Sequence, residues 1–392
     1  MSGGMNFELT EDQELIRRSV AELCARFDDH YWMEKDLAHE FPREFYDAIA
    51  AGGWLGMTIP EEYGGHGMGI TEATLLLEEV ARSGAAMNGA SAIHLNIFGM
   101  QPVVKHGSDE LKAATLPRIV NGDLHVCFGV TEPGAGLDTS RITTFAKREG
   151  DHYRVNGRKV WISKAGESEK ILLLTRTTPR DECAKKTDGM TLFLTDLDPA
   201  HVDIRPIKKM GRNAVASNEV FIDDLIVPVE HRVGEEGQGF RYILDGLNPE
   251  RMLIAAEALG IGRVALEKAV KYGNERHVFN RPIGMNQGLQ FPLADSLARL
   301  DAAELVLRKA SWLYDNGKPC GREANTAKYL CADAGFGAAD RALQLHGGMG
   351  YSEEYHVSRY FRESRLMKIA PVSQEMILNF LGEHVLGMPR SY

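Results

Sequence analysis

Apolar residues recur at helical spacing from Leu9 onward, where L-T-E-D-Q-E-L-I-R-R-S-V-A-E-L opens with Thr10 and Gln13 placed as a capping box. Further helical stretches are predicted over Pro42 to Ala51, Glu72 to Ser83 and Ser108 to Ile119, with the turn-rich T-I-P-E-E-Y-G-G-H-G-M-G between the first two. From about Leu124 to Gly237 the period shortens to that of strands. The run Y-R-V-N-G-R-K-V-W-I carries Asn156-Gly157 between β-formers, which predicts a hairpin turn there. Four more strands are read in K-I-L-L-L-T-R-T, M-T-L-F-L-T-D-L, V-D-I-R-P-I and E-V-F-I-D-D-L-I-V-P. After Gly239 long helical patterns return and continue to the end. The expectation is an α+β chain in three parts: a helical domain over 1–123, an antiparallel β domain over 124–237 and a helical domain over 238–392.

With 392 residues, the chain exceeds what one ordinary core holds, which agrees with several domains. Hydrophobic residues at 44% and charged ones at 26% suit a water-soluble protein, and no apolar run is long enough to insert in a membrane. The start, M-S-G-G-M-N-F-E-L-T-E-D-Q, lacks an apolar signal core and an Arg-rich transit pattern, so a cytoplasmic location is expected. A formal net charge of -10 without a basic stripe argues against nucleic-acid binding. The five cysteines form no C-x-x-C pair, so packing thiols are expected rather than disulfides, and no metal site is predicted.

Three segments stand apart chemically. Phe128 to Asp138, F-G-V-T-E-P-G-A-G-L-D, follows a strand-like run and must turn sharply with its backbone open to a ligand. Arg276 to Ile283 and Gln344 to Gly350 follow later. No P-loop, no H-E-x-x-H and no strand-to-helix G-x-G-x-x-G is present, so a nucleotide would not be held in the Rossmann manner.

Taken in order, L-T-E-D-Q, I-P-E-E-Y-G-G, T-E-P-G-A-G-L-D, K-V-W-I-S, R-H-V-F-N-R-P-I and Q-L-H-G-G-M-G-Y resemble the acyl-CoA dehydrogenase family over nearly the whole chain. The resemblance implies a helical domain, a β domain and a C-terminal four-helix bundle. It also implies bound FAD, a homotetramer or homodimer, oxidation of an acyl-CoA to its trans-2-enoyl-CoA, and electron transfer to an electron-transfer flavoprotein. Carried over by motif, Phe128, Val130 and Thr131 would line the flavin, with Trp161 and Ser163 beside its ring. Arg276, Phe279, Gln287, Gln344, Gly347 and Gly348 would hold the pyrophosphate and adenosine across a subunit interface. A guanidinium fork suits paired phosphate bonds, and the glycines let backbone N–H groups approach the same anion.

The family's base, a carboxylate that takes the proton alpha to the thioester, sits at one of two places. In K-I-A-P-V-S-Q-E-M, matching Ser373 and Gln374 to the family's flavin-adjacent pair puts Ala370 where many relatives carry the glutamate. The other place is filled: L-N-P-E-R-M puts Glu250 beside Arg251, as in isovaleryl- and long-chain-type members. Glu250 is therefore the candidate base, with Asn248, Arg251, Leu137 and Ala370 about the substrate. Asn248 reads as a helix N-cap and Pro249 as the first helical residue, so the helix dipole would favour ionised Glu250 by about 0.3 to 1 kcal/mol. Raising a glutamate by three pKa units needs roughly 4 kcal/mol, which desolvation by an acyl chain can supply. Pro371, in place of a usual glycine, is expected to turn the Ala370 N–H away from a thioester carbonyl. Leu137 replaces a usual serine. The segment S-A-I-H-L-N-I-F-G-M is expected by analogy along the acyl pocket, with His94 and Asn96 either polar acyl contacts or satisfied core residues. Two other readings stand beside the dehydrogenase: an oxygen-using oxidase or monooxygenase of the same fold, and a non-catalytic acyl-CoA or flavin-binding protein.

Overall fold

The computed structural model describes residues 8–391. Seven helices come first: α1 (Glu11–Cys24), α2 (Asp29–Ala38), α3 (Arg43–Ala51), α4 (Ile70–Val80), α5 (Ala86–Phe98), α6 (Gln101–His106) and α7 (Asp109–Val120). The capping box forms as its residues dictate: the Gln13 N–H donates to Thr10 Oγ1 at 3.2 Å and the Thr10 N–H to Gln13 Oε1 at 3.1 Å. Ser108 caps α7 through the Leu111 N–H. Every residue of α5 is buried, so this helix is an interior rod.

Strands follow: β1 (Val126–Gly129), β2 (Phe145–Glu149), β3 (His152–Ser163), β4 (Lys170–Arg176), β5 (Met190–Asp196), β6 (Val202–Pro206), β7 (Ser217–Pro228) and β8 (Arg232–Val233). They form one sheet in the order β6-β7-β3-β2-β4-β5-β8. Most neighbours are antiparallel, but β1 joins β4 in parallel, so the sheet is mixed rather than purely antiparallel.

The predicted Asn156-Gly157 turn does not form. Both residues lie inside β3, and the chain reverses before it, so that Glu149 of β2 pairs with His152 of β3. Asn156-Gly157 instead marks a bulge against β7, where Asn156 exchanges two hydrogen bonds with Asp224, each 2.9 Å. Glycine is required because a Cβ at 157 would lie 2.4 Å from Thr144 Oγ1. Tertiary pairing on both edges of β3 overrides the local turn propensity.

Three long helices close the chain, α8 (Gly239–Glu275), α9 (Gln287–Asp315) and α10 (Gly321–His346), with the two-residue strands β9 (His277–Val278) and β10 (Arg281–Pro282) between the first two. A fourth, broken rod is built from α11 (Val357–Ser364) and α12 (Gln374–Phe380), completing the bundle. Its closest crossing is at Gly335, where a Cβ would meet the Ala258 carbonyl oxygen at 2.2 Å, so only glycine lets α10 approach α8 so nearly.

The α8 start corrects the sequence reading. The helix begins at Gly239 and Asn248-Pro249 lie inside it, so Asn248 is no N-cap and Pro249 is not the first helical residue. An interior proline leaves one carbonyl, that of Asp245, without its helical donor, and the helix continues past it. Glu250 thus sits about three turns inside α8 and draws nothing from a helix N-terminus. One hydrophobic core joins α1 to α5 with the bundle, and two smaller ones flank the sheet faces. Among the described residues no helix is long and apolar enough to cross a membrane. All five cysteines are free thiols.

Candidate active site

The segment after β1 is fixed from below. Lys159, fully buried in β3, donates to Glu132 Oε1 at 2.8 Å and to the Val130 carbonyl at 3.1 Å, while the Val160 N–H donates to the Thr131 carbonyl at 2.9 Å. Burial alone would raise the Glu132 carboxyl, yet Lys159, Thr144 and Thr143 hold it down at about 2. These bonds place Phe128, Val130 and Thr131 beside the second half of β3. There a second bulge, between Lys159 and Ile162, puts Trp161 at φ 62 with the residue 56% exposed. A tryptophan in the left-handed region, held outward at a bulge, is a flat platform that the chain has made at a cost in backbone strain. Ser163 follows, half-buried and paired with Ser217. Leu137, at the loop tip, is exposed.

Behind this platform α5 and α8 cross. Phe98 meets Phe128 edge-on at 5.7 Å and His94 at 4.7 Å between ring centroids. His94 Nδ1 lies 2.7 Å from Glu257 Oε1, in a pair shut almost wholly from solvent. Glu250 lies seven residues back along α8, on the same face as Glu257. It is half-buried, and burial pushes its carboxyl up to about 7 against the pull of His94 and Arg251, with Glu257 adding to the rise. Arg251 donates to Asn248 Oδ1 at 3.2 Å and keeps its buried Nε unpartnered. Asn248 also reaches Cys320 Sγ at 3.8 Å.

Ser373 caps α12 through the Met376 N–H, and buried Gln374 donates to the Tyr329 carbonyl at 3.4 Å. The Ala370 N–H is given to the Leu366 carbonyl at 3.0 Å, so this donor turns back into the preceding turn. Sequence reasoning missed Lys328, which is buried and donates to the Val372 carbonyl at 2.6 Å. Burial, aided by Arg251, lowers its ammonium to about 8, and it acts on Glu250 in return. It also missed the His94–Glu257 pair and Arg212, whose guanidinium bonds Ser217 Oγ at 2.5 Å. No local pattern joins α5 to α8, so nothing in the sequence pointed to that pairing. Asn96 is a core residue, accepting from Lys164 at 3.1 Å and donating to the Tyr46 hydroxyl at 3.1 Å.

The remaining predicted residues gather elsewhere, at the other end of the bundle. Arg276 ends α8, the Ile283 N–H donates to its carbonyl, and Tyr272 stacks on His346 at 4.3 Å. That stacking brings the Arg276–Ile283 loop against the end of α10, where Gln344, Gly347 and Gly348 stand exposed and Gly347 has φ 60. Phe279 is 94% exposed at φ 52, and Gln287 begins α9 in solvent. Along the helix, Arg276 lies roughly 40 Å from Glu250, more than one dinucleotide spans. Among the described residues no group of three or more His, Cys, Asp or Glu is placed to hold a metal ion.

The pattern of the acyl-CoA dehydrogenase N-terminal domain matches residues 10–123, that of the middle domain 127–225 and that of the C-terminal domain 237–386. The chain belongs to the acyl-CoA dehydrogenase family. Over 392 residues this acyl-CoA dehydrogenase is 37% identical to acyl-CoA dehydrogenase FadE12 of Mycobacterium tuberculosis, with 99% of each chain covered. It is 35% identical to cyclohex-1-ene-1-carbonyl-CoA dehydrogenase of Syntrophus aciditrophicus, covering 97% of this chain and 91% of that one. Among solved structures, a glutaryl-coenzyme A dehydrogenase in complex with glutaryl-CoA superposes with a TM-score of 0.94 at 28% identity, covering 99% and 98% of the two chains. The fold and the oxidoreductase class acting on CH–CH bonds follow from this membership.

Proposed function

We propose that the chain catalyses FAD-dependent α,β-dehydrogenation of an acyl-CoA thioester to the trans-2-enoyl-CoA, with Glu250 as the base. The observation that carries this reading is the half-buried Glu250 carboxylate, pushed up by burial to about 7 beside Arg251, on the α8 face of Glu257, whose partner His94 leads through Phe98 to Phe128. A base with a pKa near the working pH combines a deprotonated fraction with real basicity.

The residues fit an FAD. Trp161 offers an exposed flat face beside the backbone of Val130 and Thr131, with Ser163 next to it, and Ser373-Gln374 start α12 beside Lys328 and Tyr329 of α10. Arg276, Phe279, Gln287, Gln344, Gly347 and Gly348 supply charge, an aromatic face and open backbone for a pyrophosphate and adenosine. When bound, the cofactor supplies a two-electron acceptor for the β-hydride. Because Glu250 and Arg276 of one chain stand too far apart for one FAD, each chain's Arg276 end serves a neighbouring copy, which makes a homodimer or homotetramer the working form. An electron-transfer flavoprotein is the acceptor this reading expects.

Glu250 takes the α-proton, and the surrounding apolar helices exclude water from that transfer. Arg251, held by Asn248, lies beside the carboxylate and steadies it as charge shifts. With its N–H given to Leu366, Ala370 forms part of the wall and does not polarise the thioester carbonyl. Leu137, exposed at the loop tip, offers the substrate an apolar contact in place of the usual serine.

The test is anaerobic bleaching of the flavin absorbance by short, long, branched and cyclic acyl-CoAs, with Glu250→Gln alongside. Bleaching by one class, lowered about 10²- to 10⁴-fold in the variant, is the expected result. Retained bleaching in Glu250→Gln would remove Glu250 from the role.

A further inference from the structure

α5, which the family resemblance sets along the acyl group, buries ionisable side chains where it meets α8. His94 and Glu257 pair at 2.7 Å, with Phe98 linking His94 to Phe128. Glu257 Oε2 is buried without a hydrogen-bond partner. On His94 only Nδ1 is bonded; among the described residues Nε2 meets no protein acceptor or donor. Arg212 stands close enough to act electrostatically on both, carries φ 58, and leaves its buried Nε unpartnered while reaching Ser91 Oγ at 3.4 Å. Ser91 and His94 share a face of α5, one turn apart.

We infer that His94, oriented by Glu257 and flanked by Arg212, is a specificity-determining subsite for an acyl group that carries an oxygen acceptor, a carbonyl, hydroxyl or carboxylate, away from the thioester. The inference rests on the dehydrogenase reading above.

The Glu257 carboxylate accepts the Nδ1 proton, which fixes the ring. Burial disfavours the imidazolium, but Glu257 and then Glu250 outweigh it and hold the ring towards its protonated form, leaving Nε2–H as an unused donor. Two donors of the cluster, His94 Nε2 and the buried Arg212 Nε, meet no acceptor among the described residues. An oxygen acceptor on the acyl group answers them, whereas a methyl terminus leaves them unmet, which is the costly arrangement. A pocket with such a donor discriminates against the analogue that lacks its partner far more sharply than an apolar pocket judges chain length.

The experiment uses the holoenzyme and matched acyl-CoAs of equal length ending in methyl, hydroxyl, keto or carboxylate, read by anaerobic flavin bleaching. An oxygenated thioester is expected to exceed its methyl analogue in kcat/KM by roughly 10- to 100-fold, the scale of one charge-assisted hydrogen bond. In His94→Leu that ratio collapses towards unity, and in His94→Gln part of it survives. A wild-type preference for the methyl analogue, or a ratio untouched in folded His94→Leu, overturns the inference. Should no thioester of any kind bleach the flavin, the dehydrogenase reading itself falls, and this subsite with it.

Discussion

The two ends of α8 solve opposite problems. At the Glu250 end carboxylates, an imidazole, two guanidiniums and an ammonium are enclosed within the fold, and burial pushes Glu250 up and Lys328 down. At the Arg276 end nearly every candidate side chain stands in solvent, with Phe279 94% exposed and left-handed. Reactivity needs a dry place that one fold can enclose. The proposed cofactor grip, by contrast, lies on the surface, open to a second copy.

The sharpest way to break this comparison is at the exposed end. Arg276→Ala, leaving the buried end intact, is expected to weaken FAD binding by roughly 10- to 150-fold, the loss of one charge-assisted contact, measured by flavin fluorescence on titration. An unchanged affinity would separate that end from the cofactor. Trp161→Leu probes the platform between them: retained folding with a shifted flavin absorbance envelope and a several-fold weaker FAD affinity is expected, and an unaltered spectrum would move the ring away from the flavin.

The pH dependence sharpens the buried end. With Glu250 at about 7 and active when deprotonated, the bleaching rate should climb as pH rises through 7 and level off above it. Stability carries the opposite sign. Because the folded pKa lies above the ordinary 4.5, the native state binds more protons between about 4.5 and 7, so Glu250 costs stability as pH rises through that window. Glu250→Gln removes this cost, and its Tm advantage over the wild type should grow from pH 5 to pH 8. The smallest expected effect lies outside both ends: Gly157→Ala forces a methyl against Thr144 and should cost about 1 to 3 kcal/mol by denaturant unfolding without touching the flavin spectrum.

Legibility followed the range of the forces. The Thr10 capping box, the helix from Ser108 and the change from helical to strand period are local, and they stand in the structure where the residues put them. Asn156-Gly157 and Asn248-Pro249 are local signals as well, and both misled: pairing of β3 on two edges and the continuity of α8 outweighed them. Glu250 stands out as the candidate base from its neighbours in the chain. The reason for its poise does not, since His94 and Glu257 are 163 residues apart and Lys328 arrives from a third helix.

The clamp beneath the 131–135 turn carries a wider consequence. Glu132 spends its oxygens on Thr143, Thr144 and Lys159, all of them beneath the turn. The turn's foundation is thus independent of what its upper surface displays. Leu137, at the exposed tip, belongs to that display. Descendants of this chain can exchange the tip, and the turn beneath it would not be renegotiated each time.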